Sequence, residues 1–273
     1  MRPLWKGAVS FGLVYVPVKM YAATEKKNIK FNYLHEKCKT PIQYRRYCPY
    51  CDAEVENEQI VKGYEYEKGK YVVIRDEDFE HIPGEATRSI NIIDFVNLTD
   101  IDPLFFDKGY YLAPGDGGQK VYELLKKSMD ETGKVAIAKV VIRNKESLAA
   151  LRIADGILTM STMFYPDEVR KPTGIPELDY NVSIHDNELK MAVNLINNLS
   201  AAFQPEKYTD EYRQGLMEVI QAKVAGEGVE VAAVPQTEKV VDLMAALKAS
   251  IELAEQERGT VKKKGTRKKA AGA

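Results

Sequence analysis

Apolar residues change their period along this chain. Through residue 165 they come in short runs cut by glycine, proline and polar turns; after about residue 186 they recur every three or four positions. Residues 1–22 hold two runs, 8–11 and 13–16, with Gly12 between them, which predicts strand, turn, strand. Stretches 29–34 and 42–47 are rich in Tyr, Phe and Ile and predict two more strands. Residues 61–66 and 71–74 flank Glu67-Lys68-Gly69-Lys70, the pattern of a hairpin with a glycine-containing loop. Residues 90–95 predict a strand, and 111–118 a turn-rich connection. Residues 119–132 predict a helix on Val121, Leu124, Leu125 and Met129, stopped by Gly133. Residues 134–143 are β-branched and almost continuously apolar, as in a strand buried on both faces, and 157–165 predict a further strand. At least eight short strands and one helix within the first 165 residues predict a mixed, mainly β fold: a β-barrel core with insertions.

Beyond residue 186 the period is helical. Leu189, Val193, Ile196 and Leu199 mark one helix, with Asp186 or Ser183 as its N-cap. Pro205 interrupts, and Thr209 can cap a second helix carrying Leu216, Val219, Ile220 and Val224. Residues 226–236 read as a linker; Val240, Leu243, Met244, Leu247, Ile251 and Ala254 then line one face of a third amphipathic segment. Residues 259–273 have the composition of a disordered tail.

With 273 residues, 45% of them hydrophobic, the chain can bury a sizeable core. No apolar run approaches the roughly 20 residues that cross a bilayer. The N-terminus lacks the features of a signal peptide, so a cytoplasmic protein is expected. Net charge is −1, which taken alone argues against nucleic acid. The distribution changes that picture. Arg258, Lys262, Lys263, Lys264, Arg267, Lys268 and Lys269 form a basic tail without an acid, leaving −8 on residues 1–257. A body that binds nucleic acid must then gather its cations on one surface.

All three cysteines lie within 14 residues, behind a histidine: His35-x2-Cys38-x9-Cys48-x2-Cys51. A Cys-x2-Cys pair on a tight turn can aim both sulfurs at one ion, and a second pair completes a tetrahedron. Such a four-ligand site suits zinc and leaves no position for a reactive water, so its role would be structural. The bland reading is reduced thiols and an unrelated histidine. A thioredoxin-like role fails, because no helix begins at the pair.

The remaining chemistry is thin. Gly63 and Gly69-Lys70 miss phosphate-loop spacing, and Tyr71 stands where a hydroxyl should meet magnesium. Gly115-Asp116-Gly117-Gly118 before a helix could hold an anion, but reads better as a plain turn. Asp167 with Glu188 and Lys190 resembles a metal-dependent nuclease motif, except that the Glu-x-Lys opens a predicted helix rather than lying on a strand. His81 and His185 read as surface histidines. No active site emerges, and the chain is expected not to be an enzyme. A zinc-ribbon module for RNA or protein is the other non-catalytic alternative.

One further signal runs in order along the chain. Trp5-Lys6-Gly7-Ala8-Val9-Ser10-Phe11-Gly12-Leu13-Val14, closing with Val16-Pro17-Val18-Lys19, resembles the start of prokaryotic Ku, the DNA-end-binding protein of non-homologous end joining. Tyr44 to Tyr47 with the cysteine pair, Ile60 to Tyr66, Gly133 to Asn144, Tyr165 to Arg170, Glu188 to Ala192 and Val240 to Met244 are similar to the same family in the same order. The resemblance covers residues 1 to about 256; many members lack Cys38, which makes zinc the property of a subset.

The resemblance implies a Ku-type β-barrel core with a bridging insertion over 1–185 and a C-terminal helical region over 186–230. It implies a linker and amphipathic helix over 231–258, then the basic tail 259–273. It further implies a homodimeric ring that binds ends of double-stranded DNA without sequence specificity, working at the nucleoid in double-strand break repair. Threading of this kind needs phosphate contacts rather than base contacts. Arg45, Arg46, Lys62, Lys126, Lys127, Arg143 and Lys145 are the residues expected to supply them. The last helix and tail would recruit an ATP-dependent DNA ligase.

Overall fold

The computed structural model describes residues 1–79, 88–142, 145–226 and 243–253. The chain divides into two compact units, Met1–Gly174 and Ile175–Ala273. In the first, the strands are β1 (Trp5–Phe11), β2 (Val14–Ala22), β3 (Tyr47–Cys48), β4 (Ala53–Glu54), β5 (Lys62–Glu67), β6 (Lys70–Ile74), β7 (Ser89–Val96), β8 (Phe106–Pro114), β9 (Val135–Ile142), β10 (Lys145–Ala154) and β11 (Ile157–Met163). Its helices are the short α1 (Asp76–Phe79) and α2 (Gln119–Thr132).

Seven strands close a barrel in the order β1-β2-β8-β11-β10-β9-β7. Every barrel pairing is antiparallel except β1 with β7, a parallel seam running Ala8↔Ser89, Val9↔Ile90 and Ser10↔Asn91. Alternate residues point inward, and the interior is filled by side chains such as Val9, Val18, Met20, Leu112, Val140, Leu151 and Met160, each at most 1% exposed. On β9 the outward Val135 also packs, with Ala150 and Met163 and under Ile101 and Phe105, so this strand is covered on both faces over that stretch as its apolar run predicts.

Helix α2 leaves β8 and returns to β9 at one end of the barrel. Tyr122, Leu125 and Met129 enter the core cluster from it, so the helix stoppers that end. Its apolar spacing of 3.6 residues needs this face buried, and Gly133 ends it in the left-handed conformation at φ 63°. The Tyr122 hydroxyl donates to the Leu112 carbonyl at 2.7 Å and accepts the Leu158 N–H at 3.0 Å, tying the stopper to β8 and β11. Tyr122→Phe would leave both buried backbone groups without that partner. It is expected to cost about 2 kcal/mol, read as a lower denaturant midpoint at unchanged slope. The turn into α2 is a close-packing device: a Cβ on Gly115 or Gly118 would press on Pro17, and the Gly115 N–H donates to the Pro17 carbonyl at 2.7 Å.

Several expectations are corrected. Stretches 29–34 and 42–47 are not strands; they offer only the isolated bridge Leu34↔Pro41 and the first residue of β3. A tight turn intervenes, with His35 N–H donating to Thr40 and Lys39 N–H to His35, and no neighbouring strand accepts the aromatic residues. Residues 111–114 complete β8 rather than turning, because Tyr110 and Leu112 keep the inward alternation and Pro114 sits at the strand end. Strand β10 went unpredicted.

In the second unit, α3 (Asp186–Leu199) is capped by His185, whose N–H donates to the Glu188 carboxylate at 2.9 Å, in place of Asp186 or Ser183. Helix α4 (Glu211–Ala225) is capped by Asp210, not Thr209, the carboxylate accepting the Arg213 N–H at 2.9 Å. Residues 243–253 are helical. Most of the 226–236 linker, Val240 and Ala254 of the third segment, and the basic tail lie outside the described residues. No described helix is long and apolar enough to cross a membrane.

Candidate nucleic-acid interface

Between β2 and β7 the chain leaves the barrel, and from Thr24 to Arg75 no side chain is buried. Two small sheets, β3–β4 and β5–β6, are its only paired strands. Yet Phe31, Tyr33, Tyr44, Tyr50, Val61, Tyr64, Tyr66 and Tyr71 all lie exposed along it. A run of apolar and aromatic groups left open in this way marks an interaction surface.

Two sharp turns carry the sulfurs. Lys39 (φ 56°) closes the first and Asp52 (φ 50°) the second, beside the pairing Cys48↔Ala53. His35 Nδ1 stands 3.1 Å from Cys38 Sγ. The Thr40 hydroxyl, then its amide, donate to Cys38 and lower the pKa of that thiol. The amides of Cys51 and Tyr50, then the Cys51 thiol, lower Cys48; the same thiol pair raises Cys51. Each turn thus presents donors to a thiolate, as a metal-binding turn does. The four side chains stand as two pairs: among the described residues no three His, Cys, Asp or Glu groups are gathered where they could hold one ion.

The expected phosphate contacts are dispersed over the first unit. Arg45 is ion-paired with Glu54 beside β3–β4, and the neighbouring Arg46 is exposed. Lys62 opens β5 and is exposed. Lys126 and Lys127 lie on the stopper helix, where Lys126 meets Glu123 at 2.8 Å, which raises its pKa. Lys145 sits at the opposite end of the barrel and is bonded to Glu168 at 2.8 Å, which raises its pKa. Arg143 lies outside the described residues, as does His81. Glu188, half of the nuclease-like pair, is occupied as the cap of α3.

A basic stretch was missed. Residues 24–47 hold seven Lys and Arg against two acids, a charge of +5 in a chain of net −1. Lys26, Lys30, Lys37 and Lys39 are exposed there. A running charge sum along the sequence singles them out. Seven of the 16 tyrosines lie between residues 33 and 71, a second signal readable from the sequence.

The fold and this excursion define a protein built on a closed barrel that sends out one long, basic, aromatic-rich arm. A family model described as the Ku70/Ku80 beta-barrel domain matches residues 10–191. The non-homologous end joining protein Ku of Symbiobacterium thermophilum is 54% identical over 263 residues, 94% of this chain and 64% of that protein. Its namesake in Desulfitobacterium hafniense is 50% identical over 94% of this chain and 90% of its own length. That of Bacillus subtilis is 44% identical over 92% and 82%. The SPOC domain of human PHD-finger protein 3 aligns with 59% of this chain and 95% of its own, at 11% identity and a TM-score of 0.28, too low to bear on the fold. The chain belongs to the Ku family.

Proposed function

We propose that this chain acts in non-homologous end joining as a scaffold without catalysis, two copies closing a ring around duplex DNA at a broken end. The carrying observation is the excursion from Thr24 to Arg75, which is entirely unburied yet rich in aromatic, apolar and basic side chains. Such a segment calls for a partner to pack against; membership of the Ku family supports DNA as one, and the ring reading takes a second copy as the other. The relatives' shared name carries end joining to this chain. A closed two-fold ring admits DNA only at an end, which converts shape into end specificity. Work at the nucleoid, and ligase recruitment by residues 231–273, belong to the same reading. Linear duplex is expected to bind while a closed circle of the same sequence does not. Equal binding of both in a mobility-shift competition would sink the ring.

The reading extends to one structural zinc held by His35, Cys38, Cys48 and Cys51. Zinc would draw the two turn pairs into one tetrahedral set and fasten the root of the arm. Metal analysis of freshly purified protein is expected to find one zinc per chain, lost in Cys48→Ser. Protein purified without zinc and still fully protected from proteolysis over residues 35–51 would end this part.

A further inference from the structure

Among the described residues, no helix plugs the end of the barrel away from α2. Toward it, the inward alternation changes character: Leu112 and Tyr110 on β8 give way to Lys108, Met160 on β11 to Thr162, and Leu151 and Ala149 on β10 to Ser147 and Lys145. Lys108, Tyr110, Thr162, Ser147 and Lys145, with the Trp5 ring, line a cavity of about 440 Å³. A barrel that only had to close would continue apolar here or take a plug, as it does at the other end. Instead the mouth presents the Trp5 and Tyr110 rings, the hydroxyls of Ser147 and Thr162, and two ammonium groups with the Asp107 carboxylate beside one of them. The cavity falls in the range of small-molecule sites, apolar below with a few convergent polar groups above.

We infer that this mouth of the barrel binds a nucleoside monophosphate unit, its base against Trp5 and Tyr110 and its phosphate between Lys108 and Lys145. Both ammonium groups now face carboxylates, Lys145 with Glu168 at 2.8 Å and Lys108 with Asp107 at 4.0 Å, and both side chains remain two-thirds exposed. A phosphate offers both ammonium groups one doubly charged partner in place of two singly charged carboxylates. The hydroxyl of Thr162 already accepts the Lys108 N–H at 3.1 Å, which leaves Ser147 as the hydroxyl facing the ligand's sugar. The unit can come from a free nucleotide or from the frayed terminus of a DNA strand. The second source rests on the end-binding reading; the first does not.

Trp5 is the single tryptophan of the chain, so its fluorescence reports the site directly. The full chain is titrated with dAMP, adenosine and inorganic phosphate. It is then titrated with duplexes ending in one unpaired nucleotide, with either a 5′-phosphate or a 5′-hydroxyl. Mobility shift on the same duplexes reads end binding separately. Saturable quenching by dAMP, at least tenfold weaker for adenosine and for Lys108→Gln/Lys145→Gln, is the expected result. Quenching by the 5′-phosphorylated terminus above the 5′-hydroxyl one assigns the source to the strand end. The proposal is overturned if neither dAMP nor the phosphorylated terminus quenches saturably, or if the double variant or adenosine binds as well. A shifted duplex without quenching overturns the site and leaves end binding standing. Quenching by dAMP without any shifted duplex does the reverse.

Discussion

Gly7→Ala is expected to destabilise the barrel by about 3 kcal/mol or more, lowering the melting temperature by roughly 10 °C and shifting Trp5 emission to the red. Gly7 lies on β1 beside the parallel seam, and a Cβ there would fall inside the Arg88 carbonyl oxygen and the Trp5 ring. Neither neighbour can give cheaply. The Arg88 carbonyl accepts the Ala8 N–H at 3.2 Å, a bond at the edge of the seam. Arg88 itself is held at φ 39°, where an L residue has little room to adjust. Trp5 shares the inward face of β1 with Gly7 and Val9, so its ring covers the space the missing side chain leaves, an aromatic resting on a glycine. Alanine must therefore push the seam open or expel the ring. Gly12→Ala is the contrast: at φ 59° with nothing within 4 Å, it carries only backbone strain of about 1 kcal/mol. A Gly7→Ala protein melting within 2 °C of the parent, with unshifted emission, would show that the seam is not packed as described.

Gly7 also shows how much of the fold can be read ahead of coordinates. The β1–β2 and β5–β6 hairpins are legible because Gly12 and Gly69 supply left-handed turns, at φ 59° and 78°, between apolar runs. Helix α2 is legible from its period and from Gly133. Strand β10 is not. Its inward Ala149 and Leu151 and its outward Leu148 and Ala150 are all at least partly buried, since Ile101 and Phe105 cover the outer face, and that erases the alternation by which a strand is recognised. Residues 29–46 fail the other way: their aromatic content imitates strands, but among the described residues they make only the isolated bridge Leu34↔Pro41.

The candidate site divides along the same line. The His35–Cys38 and Cys48–Cys51 pairs are local, three residues apart on turns, and their spacing is legible in the sequence. Which cations share a surface depends on the barrel: Lys127 and Lys145 come to opposite ends of it although 18 positions separate them in sequence.

The test of that surface is to neutralise Lys26, Lys30, Lys37 and Lys39 together. The variant is expected to bind a linear duplex about 100-fold more weakly near physiological salt, with the slope of log affinity against log salt shallower by about 3.6. Each phosphate neutralised by a lysine releases condensed counterions and contributes about 0.9 to that slope, so the number of lost contacts is read directly. All four side chains are exposed, and among the described residues none is ion-paired with a carboxylate, so stability should stay within about 0.5 kcal/mol of the parent. Charges removed elsewhere should matter less, each for each. Lys126→Gln with Lys127→Gln takes two cations from the stopper helix, one of them already answered by Glu123. If the arm is the DNA surface, the four-lysine variant loses the larger slope even per charge removed. If the two slopes fall equally per charge, the protein's general field rather than the arm attracts the duplex. If neither falls, DNA is held by residues other than these, and the basic stretch at 24–47 faces water.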